Sequence, residues 1–181
     1  GARSNFLNES EDDNDDIRAT KACLRALENT NVEELILNCN ESGSTLRFMI
    51  PVALAAKSSN VKKLIFKTRG RLIERPIKEL ADCLAPFGVS ITKNIEANEI
   101  TVTGNIEPGQ YVIDGSVSSQ YISGLLMALS KFDKPSVIEV TNGIASVHYI
   151  ELTVDALSKY GINIVKEGDT YSFGKHTVTF V

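Results

Sequence analysis

Asp82, Leu84, Gly88 and Ile91 recur as Asp155, Leu157, Gly161 and Ile164, each 73 residues further along the chain. Val52, Ala53 and Leu54 are answered by Met127, Ala128 and Leu129 at a spacing of 75. Self-similarity at a fixed period means that one supersecondary unit is used more than once. The units expected are residues 39–110 and 111–181, with residues 1–38 the tail of a further copy whose first half is absent. Periodicity supplies the elements. "IRATKACLRALEN" is a helix and "VEELILN" a strand; a buried helix around "FMIPVALAA" and the strand "KKLIFKT" follow. "RPIKELADCLAPFG" is a helix closed by Pro86 and Gly88, with short strands at "VSITKN" and "EITVTG". The second copy reads the same way: strand "GQYVIDG", helix "SQYISGLLMALS", strand "SVIEVTN", helix "SVHYIELTVDALSKYG", and strands at "INIVKEG" and "TYSFGK". The class is α/β (α+β).

Each copy holds the same unusual join. "SGST" (Ser42–Thr45) and "SVSSQ" (Ser116–Gln120) lead small hydroxyl residues straight into a helix that is apolar all round. A helix without a polar face is buried on every side. Pro51 should kink the first of these helices or sit near its first turn. A helix N-terminus has four unpartnered N–H groups and partial positive charge. Hydroxyls gathered there, with a glycine that lets backbone approach, form a cradle for phosphate or carboxylate. Plain N-capping explains either turn alone; the recurrence at equivalent points favours anion binding. Neither turn is a Walker A loop. In "RGRLIERP", Arg71 and Arg75 offer guanidinium groups suited to bidentate pairing with phosphate, surface charge pairing being the alternative.

Composition narrows the function. Lys and Arg number 19 against 23 Asp and Glu, a net charge of −4, which excludes a general nucleic-acid binder with a basic stripe and leaves room for a local cationic pocket. The three cysteines, Cys23, Cys39 and Cys83, fall in no metal-binding or redox spacing and read as reduced thiols of a cytoplasmic protein. No apolar run reaches the length of a membrane span. "ESEDDNDD" (Glu9–Asp16) reads as a solvated acidic run entering a helix rather than a metal site. His148 and His176, the two histidines, suggest no metal or triad. The start at Gly1-Ala2-Arg3-Ser4, without Met, suggests an excised piece or a cloning scar.

Together, "NESGSTLRFMIPVALA", "RLIERPI", "GSVSSQYISGLLMALS" and "SVHYIELTVDALSKYGI", in this order, resemble the 5-enolpyruvylshikimate-3-phosphate synthase family. The resemblance covers essentially the whole chain. It implies an inside-out lobe of repeated βαβαββ units, with buried central helices and outer sheets, forming part of a two-lobe monomer. The implied activity is transfer of the enolpyruvyl group of phosphoenolpyruvate to the 5-hydroxyl of shikimate 3-phosphate, with release of phosphate and no cofactor or metal. The family is the target of glyphosate. Matched motif by motif, Ser118, Ser119, Gln120, Ser146 and Tyr149 are implied to hold shikimate 3-phosphate. Gly43, Arg71 and Gln120 are implied to face phosphoenolpyruvate, and Arg47 to support them. The family's catalytic Asp, Glu, Lys and Arg lie in the other lobe, so no catalytic residue is expected here, and the isolated chain should be inactive. Its expected partners are the two substrates and that missing lobe, with no nucleic acid or membrane.

Three positions depart from the family pattern. Glu41 stands where many relatives carry Asn. Val147-His148 replaces a common Lys-Pro, so that a protonated His148 would restore the lost charge only in part. Pro51 lies farther from Arg47 than usual. The rival readings are the UDP-N-acetylglucosamine enolpyruvyl transferase, which would use a cysteine on a loop and lack VSSQ, and a non-catalytic module that binds a phosphate ligand.

Overall fold

A computed structural model of the chain describes Leu7 and residues 10–173, Phe173 by its backbone alone. His176 and Glu9 lie outside the described residues. The first helix, α1 (Asp15–Ala26), starts where the Asn14 side chain accepts the Ile17 N–H, with Asp15 and Asp16 at the positive end of the dipole. Its buried edge, Ala19 and Cys23, lies against β1 (Glu34–Asn40), whose residues alternate exposed and buried. The Cys23 and Cys39 sulfurs meet there at 4.0 Å.

From β1 the chain enters α2 (Gly43–Ala56), then β2 (Lys63–Thr68), a 3-10 turn (Gly70–Glu74), α3 (Lys78–Leu84), β3 (Ser90–Asn94) and β4 (Glu99–Thr103). β1 and β2 run parallel; β4 joins β2 antiparallel and β3 flanks it, giving the order β1-β2-β4-β3. Then come β5 (Gln110–Asp114), α4 (Ser119–Leu129), β6 (Ser136–Thr141), α5 (Val147–Ser158), β7 (Ile164–Glu167) and β8 (Thr170–Phe173). Their sheet has the equivalent order, β5-β6-β8-β7, again with one parallel pair. The boundary expected at residue 39 falls inside β1, which pairs with β2 from Glu34 onward.

The two all-apolar helices are buried, as their composition requires. In α4, Tyr121, Ile122, Leu125, Leu126 and Leu129 are fully enclosed, and α2 contributes Leu46, Met49, Ile50, Ala53 and Leu54. They pack on each other. Pro51 sits in the middle of α2 rather than near its first turn. Having no N–H, it leaves the Arg47 carbonyl without its usual helical donor. Gly124 of α4 lies against that spot: a Cβ there would stand 2.9 Å from the Pro51 ring and 3.0 Å from the Arg47 carbonyl oxygen. The glycine therefore sets how closely the central helices approach.

Candidate functional site

The turn after β5 is built around Asp114. Its carboxylate accepts the Ser116 backbone N–H at 2.9 Å and hydroxyl at 2.6 Å, while its other oxygen accepts the Asn142 amide at 2.7 Å. The Ser116 hydroxyl first, then the Ser116 N–H and Asn142, hold the Asp114 pKa below its ordinary value. The turn delivers Ser118 as the cap of α4, where its Oγ accepts the Gln120 N–H at 3.3 Å. After β6, Ser146 occupies the same position on α5, but its hydroxyl caps nothing. Those N–H groups stay open to a ligand.

Ser118, Ser119, Gln120, Ser146 and Tyr149 all line one cavity of about 770 Å³. The structure thus brings together five residues from two turns far apart in sequence. No Lys, Arg, His, Asp or Glu is among its lining residues. The polar end consists of hydroxyls, one amide and two helix N-termini. The other wall, with Phe48, Met127, Leu152, Ala156, Leu157 and Tyr160, is apolar and open; Tyr149 is 65% exposed and Tyr160 78%.

The SGST turn is arranged differently. Ser42 caps α2 by accepting the Thr45 N–H at 3.2 Å, and its hydroxyl donates to Thr45 Oγ1 at 2.7 Å. Thr45 Oγ1 lies 2.8 Å from Thr20 Oγ1 of α1, and Ser44 Oγ donates to the Asp16 carboxylate at 3.3 Å. The hydroxyls expected to cradle an anion instead fasten α1 to α2. Glu41 folds over Gly70, so that a Cβ at Gly70 would meet its carboxylate at 3.0 Å. Of this turn, only Ser44 reaches the cavity; Gly43 does not line it. Arg71 stands away from it too, its side chain 92% exposed and its Nε 3.2 Å from Glu74. His148 also turns aside, with Nδ1 3.3 Å from Glu151 Oε2. It lines a separate cavity, with Glu151, Lys166 and Tyr171.

Two features lay beyond the sequence. Arg47 of α2 donates through Nη1 to Gln120 Oε1 at 2.8 Å, joining the N-terminal turns of α2 and α4. The RLIERP segment is fastened from outside: Tyr121 OH donates to the Pro76 carbonyl at 2.6 Å, and Lys93 Nζ to the carbonyls of Ile73 and Arg75. All three cysteines are buried. Burial pushes the Cys83 thiol up to about 12, and the neighbouring Cys23 thiol, then burial, raise that of Cys39. None is suited to act as a loop nucleophile. Among the described residues no group of His, Cys, Asp and Glu is placed to hold a metal, and no helix is long and apolar enough to cross a membrane.

The architecture is shared with EPSP synthases of solved structure. A solved EPSP synthase from Acinetobacter baumannii superposes with a TM-score of 0.56 at 20% identity, over 77% of this chain and 30% of that one, a likeness of fold. The sequence goes further: the family model of EPSP synthase (3-phosphoshikimate 1-carboxyvinyltransferase) matches residues 5–177, and the chain belongs to that family. Among curated relatives, the 3-phosphoshikimate 1-carboxyvinyltransferase of Clostridium novyi is 38% identical over 137 residues, covering 76% of this chain and 31% of the relative. That of Idiomarina loihiensis is 36% identical over 133 residues, covering 72% and 31%. The chain therefore spans about 31% of the length of these relatives.

Proposed function

We propose that this chain is the shikimate 3-phosphate-binding part of an enzyme that transfers the enolpyruvyl group of phosphoenolpyruvate to the 5-hydroxyl of that substrate, releasing phosphate. The observation that carries this reading is the convergence of Ser118, Ser119, Gln120, Ser146 and Tyr149 on one cavity at the N-termini of α4 and α5, in a chain of this family. The hydroxyls and open N–H groups suit a phosphate ester, and Tyr149 offers a ring and a hydroxyl to the carbocycle. Gly43, Arg71 and the far side of Gln120 would face phosphoenolpyruvate; Arg71 has to swing inward to do so.

Addition of the 5-hydroxyl to the enol carbon, followed by elimination of phosphate, needs a positioned acid and base. The cavity's lining offers only two tyrosines as titratable groups. The proton-transfer groups, and the cations that must join Arg71 in holding two anions side by side, are therefore assigned to the parts of the relatives' length that this chain does not span. The apolar wall formed by Leu152, Leu157 and Tyr160 is where such further chain would pack. We also read the chain before β1 as the tail of a preceding repeat, and the parent as a monomer acting in the cytoplasm.

Two measurements test this. Calorimetric titration with shikimate 3-phosphate should give weak, saturable binding absent with shikimate alone. A phosphate-release assay with both substrates should stay at the blank rate. Equal heats for shikimate and its phosphate would refute the site; turnover would refute the assignment of the proton-transfer groups elsewhere.

A further inference from the structure

We infer that Arg47 is a positioning residue, which fixes the Gln120 amide with its oxygen toward α2 and its nitrogen free for the cavity. The proposal rests on the function proposed above for what the cavity binds, but its geometry stands independently. A guanidinium carries donors only. The group it meets at 2.8 Å on Gln120 is therefore the amide oxygen, and the assignment of the amide follows from the chemistry of its neighbour. The Gln120 nitrogen makes no hydrogen bond among the described residues, and Gln120 lines the cavity. A free glutamine presents either end; this one presents two N–H donors.

Two neighbours, Tyr121 and Gly43, set where Arg47 lies. Its guanidinium lies 5.8 Å from the centroid of the fully buried Tyr121 ring. Gly43 leaves room for it to fold back over its own helix, since a Cβ at that position would stand 3.3 Å from Nη1. Lys93 lies within its field: burial, and then the Arg47 charge, keep the Lys93 pKa below the ordinary lysine range. Arg47 has no ion pair among the described residues. Its charge thus polarises the Gln120 amide, and a cavity without a charged lining residue receives cationic influence through a neutral side chain. Substrate discrimination follows in kind: the amide favours a ligand that presents an acceptor, as an anionic oxygen does.

The test is made on the 181-residue chain, labelled with ¹⁵N. The heteronuclear NOE of the Gln120 side-chain NH2 should be that of an ordered group, fall in Arg47→Met to that of a freely rotating glutamine, and recover in part in Arg47→Lys. An unchanged NOE in Arg47→Met, with backbone dispersion intact, would overturn the proposal. Should Arg47→Met not fold, Gln120→Ala read at the Arg47 Nε–H supplies the reciprocal measurement: loosening supports the link and no change overturns it. Gln120→Glu keeps the acceptor for Arg47 and removes the donor, so its affinity for shikimate 3-phosphate should fall about tenfold. Equal affinity would overturn the donor role. A wild-type chain that binds no shikimate 3-phosphate would count against the functional reading alone, because the order of the amide is read without ligand.

Discussion

Gly124→Ala tests the packing on which the site depends, because two effects of opposite sign meet at one atom. In a helix that touches nothing at this point, replacing Gly by Ala stabilises by about 0.5–1 kcal/mol. Here the new Cβ would lie 2.9 Å from Pro51 Cγ, 3.0 Å from the Arg47 carbonyl oxygen and 3.3 Å from Phe48 Cα. Comfortable carbon contacts begin near about 3.5 Å. Two of the three atoms are backbone and the third is a proline ring, so relief requires α2 and α4 to separate. Overpacking of this kind costs about 1–3 kcal/mol, which leaves a net loss of about 0.5–2 kcal/mol. For a chain of this size that lowers Tm by about 1–8 °C. Thermal melts followed by circular dichroism, together with urea titrations, give the value directly. In a Pro51→Ala background the loss should shrink, since the nearest ring atom is gone, and the cycle measures the coupling. A Tm unchanged or raised by Gly124→Ala would refute the reasoning, for it would mean that helix propensity prevails and the central helices are not in the close register described.

Three further outcomes are expected. Ser42→Ala removes the cap of α2 and one partner of the buried Thr45 hydroxyl, and should cost about 1–2 kcal/mol in urea unfolding; a change below about 0.3 kcal/mol would show the cap to be replaceable. The Asp114 pKa is lowered in the folded chain, so the turn's contribution to stability is present above the ordinary carboxylate pKa and lost as pH falls through the folded value. The Tm gap between wild type and Asp114→Asn should accordingly be widest near neutrality and narrow as pH falls below the ordinary carboxylate range; a gap independent of pH would contradict the assignment. The buried thiols of Cys23, Cys39 and Cys83 should react with a disulfide reagent slowly in buffer and rapidly in urea, and fast labelling of Cys23 and Cys39 in the native chain would show that α1 opens.

How much of this was legible in the sequence depended on range. The repeat, the strands and the two enclosed helices were all carried by local pattern: apolar residues on every face of α2 and α4 leave burial as the only stable outcome. Ser118, Ser119, Gln120, Ser146 and Tyr149 were singled out by motif as candidates, and they share a cavity because both turns follow parallel strands of one sheet. What escaped was set by partners distant in the chain. The SGST hydroxyls look free in sequence but are engaged by Thr20 and Asp16 of α1. Arg71 and Arg75 have the spacing of a phosphate clamp, yet the segment forms a 3-10 turn that points Arg71 into solvent. The Arg47–Gln120 bond spans 73 residues, the repeat period itself, and this was its only available signal. Pro51 in mid-helix became intelligible only once Gly124 was seen against it.

The central claim is that the cavity at the N-termini of α4 and α5 holds shikimate 3-phosphate. It is tested most directly by following the amide resonances of the ¹⁵N-labelled chain during titration with that ligand, with inorganic phosphate and shikimate as separate controls. Saturable shifts centred on Ser118, Ser119, Gln120, Ser146 and Tyr149 are expected, beyond those given by either control, with α1 and the outer strands unmoved. Shifts no larger than those of the phosphate control, or centred elsewhere in a well-dispersed spectrum, would contradict it.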